Sequence, residues 1–392
     1  MPFTLSPALA AKLYQALLER DVWYQGELVK LDEGKAIKLP VRVIKRARQD
    51  GKPGVRFEFI YLNRSVGEGK YGGLWKVAGT LQADRFKAAG SLNKAGQVKE
   101  RVIKIQTHSE RYPASKVTNE YQLARRANHL HIKQPAVYTN MTGVTSSYLV
   151  MQRMPGVDLL TVVNKISLAP EKRFELSIAL LQALKDQVHH HGVIHRDIKP
   201  ENIMVNLDSH PVTVNIVDFG LSIDAQHLDG ESPGNFFYAA PEQRNGNPYK
   251  HCGKMDVYAM TRIIALLWGV SSHSYRDPID YNRSVTDLLT NLFTGVSGLS
   301  DLQKDGILHL LTLGLEPLPE KRIDLDYFLA EFQYLSLNPL VAKAPVASSS
   351  SVPTPSPEPP TYSNAPASTF FSPVLSELYS NIAAAVPDCS LL

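Results

Sequence analysis

Near the start of the chain, apolar residues recur at the spacing of one helical face, at Leu5, Leu9, Leu13 and Leu17. Ser6 and Pro7 supply a capping side chain and a first-turn proline, so we expect a helix over residues 5–20. Two strand-like runs follow, the second over residues 36–44. Residues 1–56 are therefore predicted to form a helix and a hairpin, as an N-terminal extension with a structural or docking role.

Strand-like runs dominate residues 57–154, whereas helical periodicity dominates residues 155–336, most clearly over 171–190. A strand-rich part followed by a helix-rich part predicts an α+β fold with two lobes, a β-rich N-terminal lobe with its hinge and a helical C-terminal lobe. From residue 337 onwards Pro, Ser, Thr and Ala dominate, and such a segment cannot bury enough apolar surface to offset its chain entropy. We therefore predict a disordered linker and tail over residues 337–392.

The composition excludes several classes of protein. The net charge of +4 over 392 residues is too small to indicate a nucleic-acid-binding protein. Two cysteines do not support a disulfide scaffold and indicate a reducing compartment, and the longest apolar run, residues 263–270, is too short to span a membrane. Since the N-terminus lacks the features of a secretory signal, we expect a cytoplasmic protein that does not bind nucleic acid.

The extension carries a cluster of basic side chains over residues 42–48. We interpret this stretch as the solvated side of a strand, with a docking surface for an acidic partner as the alternative. No acid, base or metal cluster is evident in residues 1–56, so a soluble product that lacks them is expected to keep activity.

Two segments carry groups suited to moving a phosphoryl group onto a hydroxyl. Residues 195–202 read H-R-D-I-K-P-E-N, and residues 218–220 read D-F-G. The transfer needs a carboxylate to orient the hydroxyl, oxygen ligands for Mg²⁺ and a cation for the transferring group. The segments supply all of these: Asp197 for the hydroxyl, Asn202 and Asp218 for the metal, and Lys199 for the γ-phosphate.

These segments resemble the catalytic loop and the D-F-G motif of the protein kinase family. Residues 240–242 read A-P-E, Asp256 resembles the aspartate that anchors the catalytic loop, and Arg322 resembles the arginine that pairs with the A-P-E glutamate. The resemblance spans about residues 57–335 and implies a two-lobed kinase fold that uses ATP and Mg²⁺ to phosphorylate Ser or Thr hydroxyls of protein substrates. It also implies that His195 packs beneath the phenylalanine of D-F-G rather than acting as a base.

The N-terminal lobe supplies the rest of the family pattern. Its G-x-G-x-x-G-x-V motif, a flap over the ATP phosphates, is matched by Gly67, Gly69, Gly72 and Leu74. Lys104 resembles the strand lysine that holds the α- and β-phosphates, and Glu120 resembles its partner on the next helix. Lys104 lies farther from the glycines than is usual, which indicates an insertion near residues 80–98. Other lysines therefore remain alternatives, namely Lys76, Lys87, Lys94 and Lys99.

Residues 148–156 resemble the strand and hinge that join the two kinase lobes. By that resemblance Met151 is the gatekeeper, and the backbone atoms of Gln152 and Met154 bond the adenine. The same resemblance places further residues around the nucleotide, with Asp158 near the ribose and the ring clamped by Leu74, Val102 and Met204.

One departure from the family concerns the acceptor. Kinases that act on Ser or Thr usually have a threonine five residues before the alanine of A-P-E, where this chain has Asn235. Lys199 favours Ser or Thr over Tyr, whereas Asn235 leaves the acceptor open. Arg196 could pair with a phosphate on the activation segment, where Ser222 and Ser232 are the nearest hydroxyls.

Two other functions remain as alternatives. One is a pseudokinase that only binds partners on the kinase fold, and the other is a small-molecule phosphotransferase of related fold. The phosphate- and metal-holding positions are all filled, which speaks against the pseudokinase, and the A-P-E segment speaks against the phosphotransferase.

The last four residues, 389–392, read C-S-L-L and fit C-a-a-X loosely, with a terminal leucine that favours geranylgeranyl. A prenylated Cys389 would place the protein at a membrane, and a plain tail would leave it in the cytosol, so both alternatives stand. The divergent activation segment, the insertion and the extensions are similar to those of kinases that intracellular bacteria deliver into host cells, which would place this one in the host cytosol.

Overall fold

The computed structural model describes residues 5–31, 34–48, 54–69, 72–83, 85–88, 100–110, 112–227, 237–244, 252–270 and 285–337. Several predictions concern residues outside these ranges, namely Lys94, Lys99, Ser232, Asn235, Cys389 and the linker and tail after Leu337. Within the described ranges, none of the helices combines the length and the apolar character needed to cross a bilayer.

Strands dominate the first part of the described chain: β1 (Val22–Trp23), β2 (Leu28–Lys30), β3 (Ala36–Lys38), β4 (Arg42–Ala47), β5 (Val55–Gly69), β6 (Gly72–Gln82), β7 (Arg85–Ala88), β8 (Arg101–Thr107), β9 (Ala136–Thr139) and β10 (Thr145–Gln152). One antiparallel sheet has the order β1-β4-β5-β6-β8-β10-β9, with β7 also paired to β6, whereas β2 and β3 form a separate hairpin. The expectation of a single strand over 36–44 is wrong. Pro40 lies between β3 and β4, and proline has no N–H for a ladder bond.

The large sheet curls until β4 lies beside β9, which is the strand at the opposite end of the order. Tyr138 on β9 donates its hydroxyl hydrogen to the carbonyl of Lys45, and Arg46 donates to the carbonyl of Gln134 at 3.5 Å. The enclosed side is filled by apolar side chains from five strands, including Ile44, Ile60, Val77, Ile103 and Val150. The curl of the sheet therefore brings β4 and β9 together around one side of the apolar core.

The N-terminal extension continues this sheet rather than standing apart from it. The sequence places a domain boundary just before Phe57. Strand β5 runs through this boundary, β4 pairs with β5, and β1 pairs with β4. Helix α1 (Pro7–Leu17) begins after its expected cap, Ser6, and buries Leu13 and Leu17 in one apolar cluster with Phe57. Burial of each such side chain contributes roughly 1.5–3 kcal/mol, so the extension adds substantially to the stability of the lobe.

A buried charge cluster also ties the extension to the sheet. Glu58 on β5 accepts from Arg46 on β4 at 3.1 Å, from Arg101 on β8 at 3.0 Å and from Thr80 on β6 at 2.9 Å. Burial raises the pKa of the Glu58 carboxyl, but the two guanidinium groups outweigh this and hold the pKa below its usual value. The interpretation of residues 42–48 as a solvated face is therefore wrong for Arg46, which is buried.

Helices dominate the rest of the described chain: α2 (Ser115–Ala127), α3 (Leu159–Lys165), α4 (Pro170–Gln187), α5 (Pro241–Arg244), α6 (Lys254–Leu267), α7 (Val285–Leu288), α8 (Asp301–Gly314) and α9 (Leu325–Leu337). Short strands lie among them: β11 (Val157–Asp158), β12 (Val193–Ile194), β13 (Ile203–Asn206), β14 (Thr213–Ile216) and β15 (Ile223–Asp224). Strands β11, β13 and β14 form one small sheet, and β12 pairs with β15.

The core of the second lobe surrounds α6, which is buried along almost its whole length because apolar residues occupy most of its sides. Its neighbours include the aromatic side chains of Phe174 and Phe332, which pack against each other. A strand-rich lobe up to β10 and a helix-rich lobe beyond it confirm the predicted α+β fold with two lobes.

Candidate active site

Lys104 lies in the middle of β8 and joins two carboxylates from distant parts of the chain. Its ammonium donates to Glu120 Oε1 on α2 at 2.8 Å and to Asp218 Oδ1 at 2.7 Å. Strand β8 is hydrogen-bonded on both sides, to β6 and β10, which fixes where the lysine emerges. Of the alternative lysines within the described residues, Lys76 lies on β6 and Lys87 on β7.

The three charges of this cluster alter one another's titration. Burial lowers the pKa of the Lys104 ammonium, but the carboxylates of Asp218 and Glu120 outweigh it and raise that pKa well above its usual value. Partial burial raises the pKa of the Asp218 carboxyl, yet Lys104 more than offsets this and brings that pKa down to about 2. Burial also raises the pKa of Glu120, and here Lys104 offsets only part of the rise. Lys104 and Asp218 are therefore charged at neutral pH.

A second cluster forms in the loop after β12. Asp197 Oδ2 accepts from Lys199 Nζ at 2.6 Å and from Asn202 Nδ2 at 3.0 Å. A short 3₁₀ turn over Pro200–Asn202 folds the chain back, so that Asn202 Nδ2 also donates to the Asp197 carbonyl at 2.9 Å. Because the amide nitrogen of Asn202 is turned towards Asp197, its amide oxygen points away from that carboxylate.

A buried aspartate holds this loop from the core of the second lobe. Asp256, in the first turn of α6, accepts from the backbone N–H groups of His195 at 2.7 Å and Arg196 at 2.9 Å. Only 1% of Asp256 is exposed. Burial raises the pKa of its carboxyl, but His189 and the loop outweigh this and hold the pKa below its usual value. The anchoring role expected for Asp256 is confirmed.

The imidazole of His195 packs against Phe219, with ring centres 5.0 Å apart, which confirms the expected contact. Its Nε2 faces the carbonyl oxygen of Val217 at 3.2 Å, and its Nδ1 accepts from the backbone N–H of Asp197 at 3.3 Å. Both ring nitrogens are therefore engaged within the protein, which agrees with a packing role rather than one as a base.

A buried ion pair fixes the end of the activation segment. Arg322 donates to both oxygens of Glu242, at 2.7 and 3.0 Å, and its guanidinium lies over the ring of Tyr258. The pairing that the sequence resemblance implied is therefore present. Since both charged groups are buried and matched in a two-point contact, removal of either would leave an uncompensated charge in the core.

Cross-strand pairing places four of the predicted nucleotide-binding residues on one face of the sheet. Lys104 lies opposite Leu74 on β6, and Val102 lies opposite Met151 on β10. Opposed residues share a face, and so do residues two apart on one strand. The side chains of Leu74, Val102, Lys104 and Met151 therefore stand on the same side of the sheet.

The other predicted nucleotide contacts lie around the junction of the lobes. Gln152 ends β10, Met154 is buried just after it, and Met204 lies on β13 opposite Asp158. Asp158 caps helix α3, because one oxygen accepts from Thr161 N and the other from the Thr161 hydroxyl, both at 2.8 Å. A ribose bound to Asp158 would have to share these oxygens with Thr161. The contact with the ribose stays a prediction.

The predicted glycine-rich flap is the turn from β5 to β6, with Gly67 and Gly69 on one strand and Gly72 on the other. A Cβ on Gly72 would come within 2.1 Å of the Ile105 carbonyl oxygen, so glycine is needed for β8 to approach this closely. A Cβ on Gly67 would meet nothing within 4 Å. The turn is therefore tight on the β8 side and open at Gly67.

Helix α2, which carries Glu120, is also tied to the start of the activation segment. Arg126 pairs with Asp224 on β15 at 2.6 Å, and Asn119 donates to the Ser222 carbonyl at 3.3 Å. Ser222, one of the two hydroxyls nearest to the expected phosphate-binding arginine, is itself buried and donates to the loop that precedes Asp197. The contacts of α2 therefore reach the catalytic loop through β15 and β12.

Sequence reasoning missed the Arg126–Asp224 pair and also Gln243, whose side-chain amide donates to the Arg196 carbonyl at 2.7 Å. For Gln243 a signal was available, namely a polar residue directly after A-P-E. For the ion pair there was none, because partners almost 100 positions apart are joined only by the fold.

Known proteins resemble this chain over its central part. A family model described as the protein kinase domain matches residues 61–323. A serine/threonine-protein kinase of Drosophila yakuba is 28% identical over 221 residues, which cover 50% of this chain and 29% of that protein. The serine/threonine-protein kinase Warts of Drosophila melanogaster is 28% identical over 178 residues, 45% of this chain and 14% of that protein. The chain thus spans less than a third of the length of these relatives.

Proposed function

The chain belongs to the protein kinase family, and on that premise we propose that it transfers the γ-phosphate of ATP to Ser or Thr hydroxyls of protein substrates. The observation that carries the proposal is the charge cluster in which Lys104 contacts both Glu120 and Asp218. A lysine held in this way presents a fixed positive charge beside the sheet face that would receive the nucleotide.

Asp197 is the group that would orient the substrate hydroxyl and accept its proton. The carboxylate is held by Lys199 and Asn202, and the backbone that precedes it is fixed by the buried carboxylate of Asp256. Lys199 lies 2.6 Å from this carboxylate, so its ammonium can offset negative charge that develops on the transferring phosphoryl group. Lys199 also supports Ser or Thr as the acceptor by its family resemblance.

The side chains of Asn202 and Asp218 fit a magnesium ion. Both offer hard oxygen donors, the Asn202 oxygen is turned away from Asp197, and Lys104 keeps Asp218 ionised. The Asp218 side chain is 43% exposed, so it is accessible to a ligand. When bound, Mg²⁺ would offset the charge of the phosphate oxygens. Among the described residues, no cluster of three or more His, Cys, Asp or Glu side chains offers another metal site.

The test is transfer of labelled phosphate from ATP, with Mg²⁺, to a generic protein substrate, followed by identification of the labelled amino acid. We expect label on Ser or Thr with the wild-type chain and none with Asp197→Ala or Asp218→Ala. Label on Tyr alone would contradict the proposed acceptor. Nucleotide binding without transfer would favour the pseudokinase, and transfer only to small molecules would favour the phosphotransferase.

A further inference from the structure

Gln243 connects the end of the activation segment to the catalytic loop. It follows Glu242 in α5, is only 3% exposed, and donates from Nε2 to the Arg196 carbonyl at 2.7 Å. Arg196 directly precedes Asp197, so the hydrogen bond acts on the peptide unit that leads into the proposed catalytic aspartate.

This peptide unit is held from both sides. Its carbonyl accepts from Gln243, and its N–H, which belongs to Asp197, donates to His195 Nδ1 at 3.3 Å. Rotation of the unit would break both bonds and turn the Asp197 side chain at the same time.

The loop needs such support, because Arg196 has φ +65°, a left-handed conformation that residues other than glycine seldom adopt. Asp256 fixes the N–H side of Arg196, at 2.9 Å, and Gln243 fixes the C=O side. Without Gln243, the buried carbonyl of Arg196 would lose this hydrogen bond. The backbone could then lower its strain energy by relaxing towards an ordinary conformation.

Gln243 is itself fixed, since the preceding residue, Glu242, forms the buried ion pair with Arg322. We propose that Gln243 is a positioning residue for Asp197, through which helix α5, at the end of the activation segment, sets the orientation of the carboxylate. The amide is neutral, so it would act on geometry without changing the charge beside the reaction. This inference rests on the kinase activity proposed above.

The experiment compares Gln243→Met with a matched control, Gln303→Met, in the full-length chain. Gln303 on α8 is also buried and also donates to a backbone carbonyl, that of Leu335 at 3.3 Å, but it lies outside both clusters of the candidate site. We expect Gln243→Met to lower kcat about tenfold, the size of one lost hydrogen bond in a transition state, with KM for ATP changed less than about twofold. Gln303→Met also loses the capping contact with the Ser300 N–H, so it should lower Tm at least as much as Gln243→Met and leave kcat unchanged.

Gln243→Glu provides a second variant of the same shape that has an oxygen in place of the donor, and it should lower kcat at least as much, because two oxygens would then face each other. A folded Gln243→Met with wild-type kcat, or an equal loss in Gln303→Met, would overturn the inference. If neither Gln243 variant folds, Gln243 is a residue of the fold and the inference is also wrong. An inactive wild-type chain would instead overturn the proposed function.

Discussion

The two clusters of the candidate site are built in different ways. Lys104, Glu120 and Asp218 meet as side chains, from a strand, a helix and a loop, and the Asp218 side chain is 43% exposed. The catalytic loop is held through its backbone instead, by the carboxylate of Asp256 and the amide of Gln243, both buried.

The difference indicates that the first cluster is assembled from side chains of separate elements, whereas the second is fixed in advance by buried contacts to its backbone. Ion pairs between separate elements can part when one element moves, and the Asp218 side chain, unlike that of Glu120, keeps access to water when this happens. Buried backbone N–H groups that donate to a carboxylate cannot turn to water instead. Each N–H left without an acceptor therefore costs its full desolvation free energy. We therefore expect mutations in the first cluster to affect catalysis. Mutations of the residues that hold the backbone of the catalytic loop should affect folding as well.

The largest effect is expected for Asp256→Ala, which removes the carboxylate that holds the backbone of the catalytic loop. Two buried N–H groups, of His195 and Arg196, would lose their acceptor, and each costs about 1–3 kcal/mol when unsatisfied. The free energy of unfolding should therefore fall by roughly 2–6 kcal/mol, measured by urea denaturation, together with the activity. An active Asp256→Ala with wild-type stability would remove the basis of the comparison.

Next in size is Lys104→Met, which removes the centre of the assembled cluster while keeping a side chain of similar length. We expect the rate of phosphate transfer to fall roughly 100–1,000-fold, because the lost charge would act on the phosphates in the transition state. Circular dichroism and Tm should show a folded protein. Near-normal transfer would mean that another lysine, such as Lys76, holds the phosphates.

A smaller effect concerns pH. The pKa of Asp218 is lowered from 3.8 to about 2 in the folded chain, because the pull of Lys104 exceeds the effect of burial. A carboxyl with a lowered pKa stabilises the fold above its unfolded value, and that contribution is lost as the pH falls through the folded value. The stability difference between wild type and Asp218→Asn should therefore shrink as the pH is lowered from 3.8 towards 2. A constant difference over this window, measured by denaturation, would contradict the coupling to Lys104.

The smallest effect is expected for Arg126→Gln, which breaks the exposed pair with Asp224 at the end of α2. Exposed ion pairs contribute about 0.2–1 kcal/mol, so the transfer rate should fall at most about fivefold as Glu120 becomes less firmly held. Added salt should lower the transfer rate of the wild type towards that of the variant, because it screens the ion pair. A loss as large as that of Lys104→Met would show that α2 depends on this one contact.

The residues of the candidate site could be picked out from the sequence because most of them occupy short, contiguous motifs. Asp197, Lys199 and Asn202 lie within six positions, so a single turn of the chain is enough to bring them together. Lys104 is harder to assign from the sequence, because its partners Glu120 and Asp218 come from other elements and only the fold joins them.

The parts that the sequence did not reveal depend on pairing between distant segments. Strand β4 mixes charged and apolar residues without strict alternation, and nothing local shows that Arg46 turns inwards. Its acceptor, Glu58, lies on another strand, and a charged residue is not expected in a core unless its partner is known. Pro40 was a visible signal for the break between β3 and β4, but apolar neighbours on either side obscured it.

The way the extension completes the sheet separates two kinds of boundary. Sequence similarity to the family begins at residue 61, whereas the sheet and the apolar core of the lobe begin with α1 and β1. Deletion of residues 1–56 would remove Arg46, a partner of Glu58, and would uncover the outer face of β6. We therefore expect the deletion to destabilise the lobe, whereas activity in any soluble product that lacks residues 1–56 stays a prediction. The region that matches the family model is smaller than the folded unit to which it belongs.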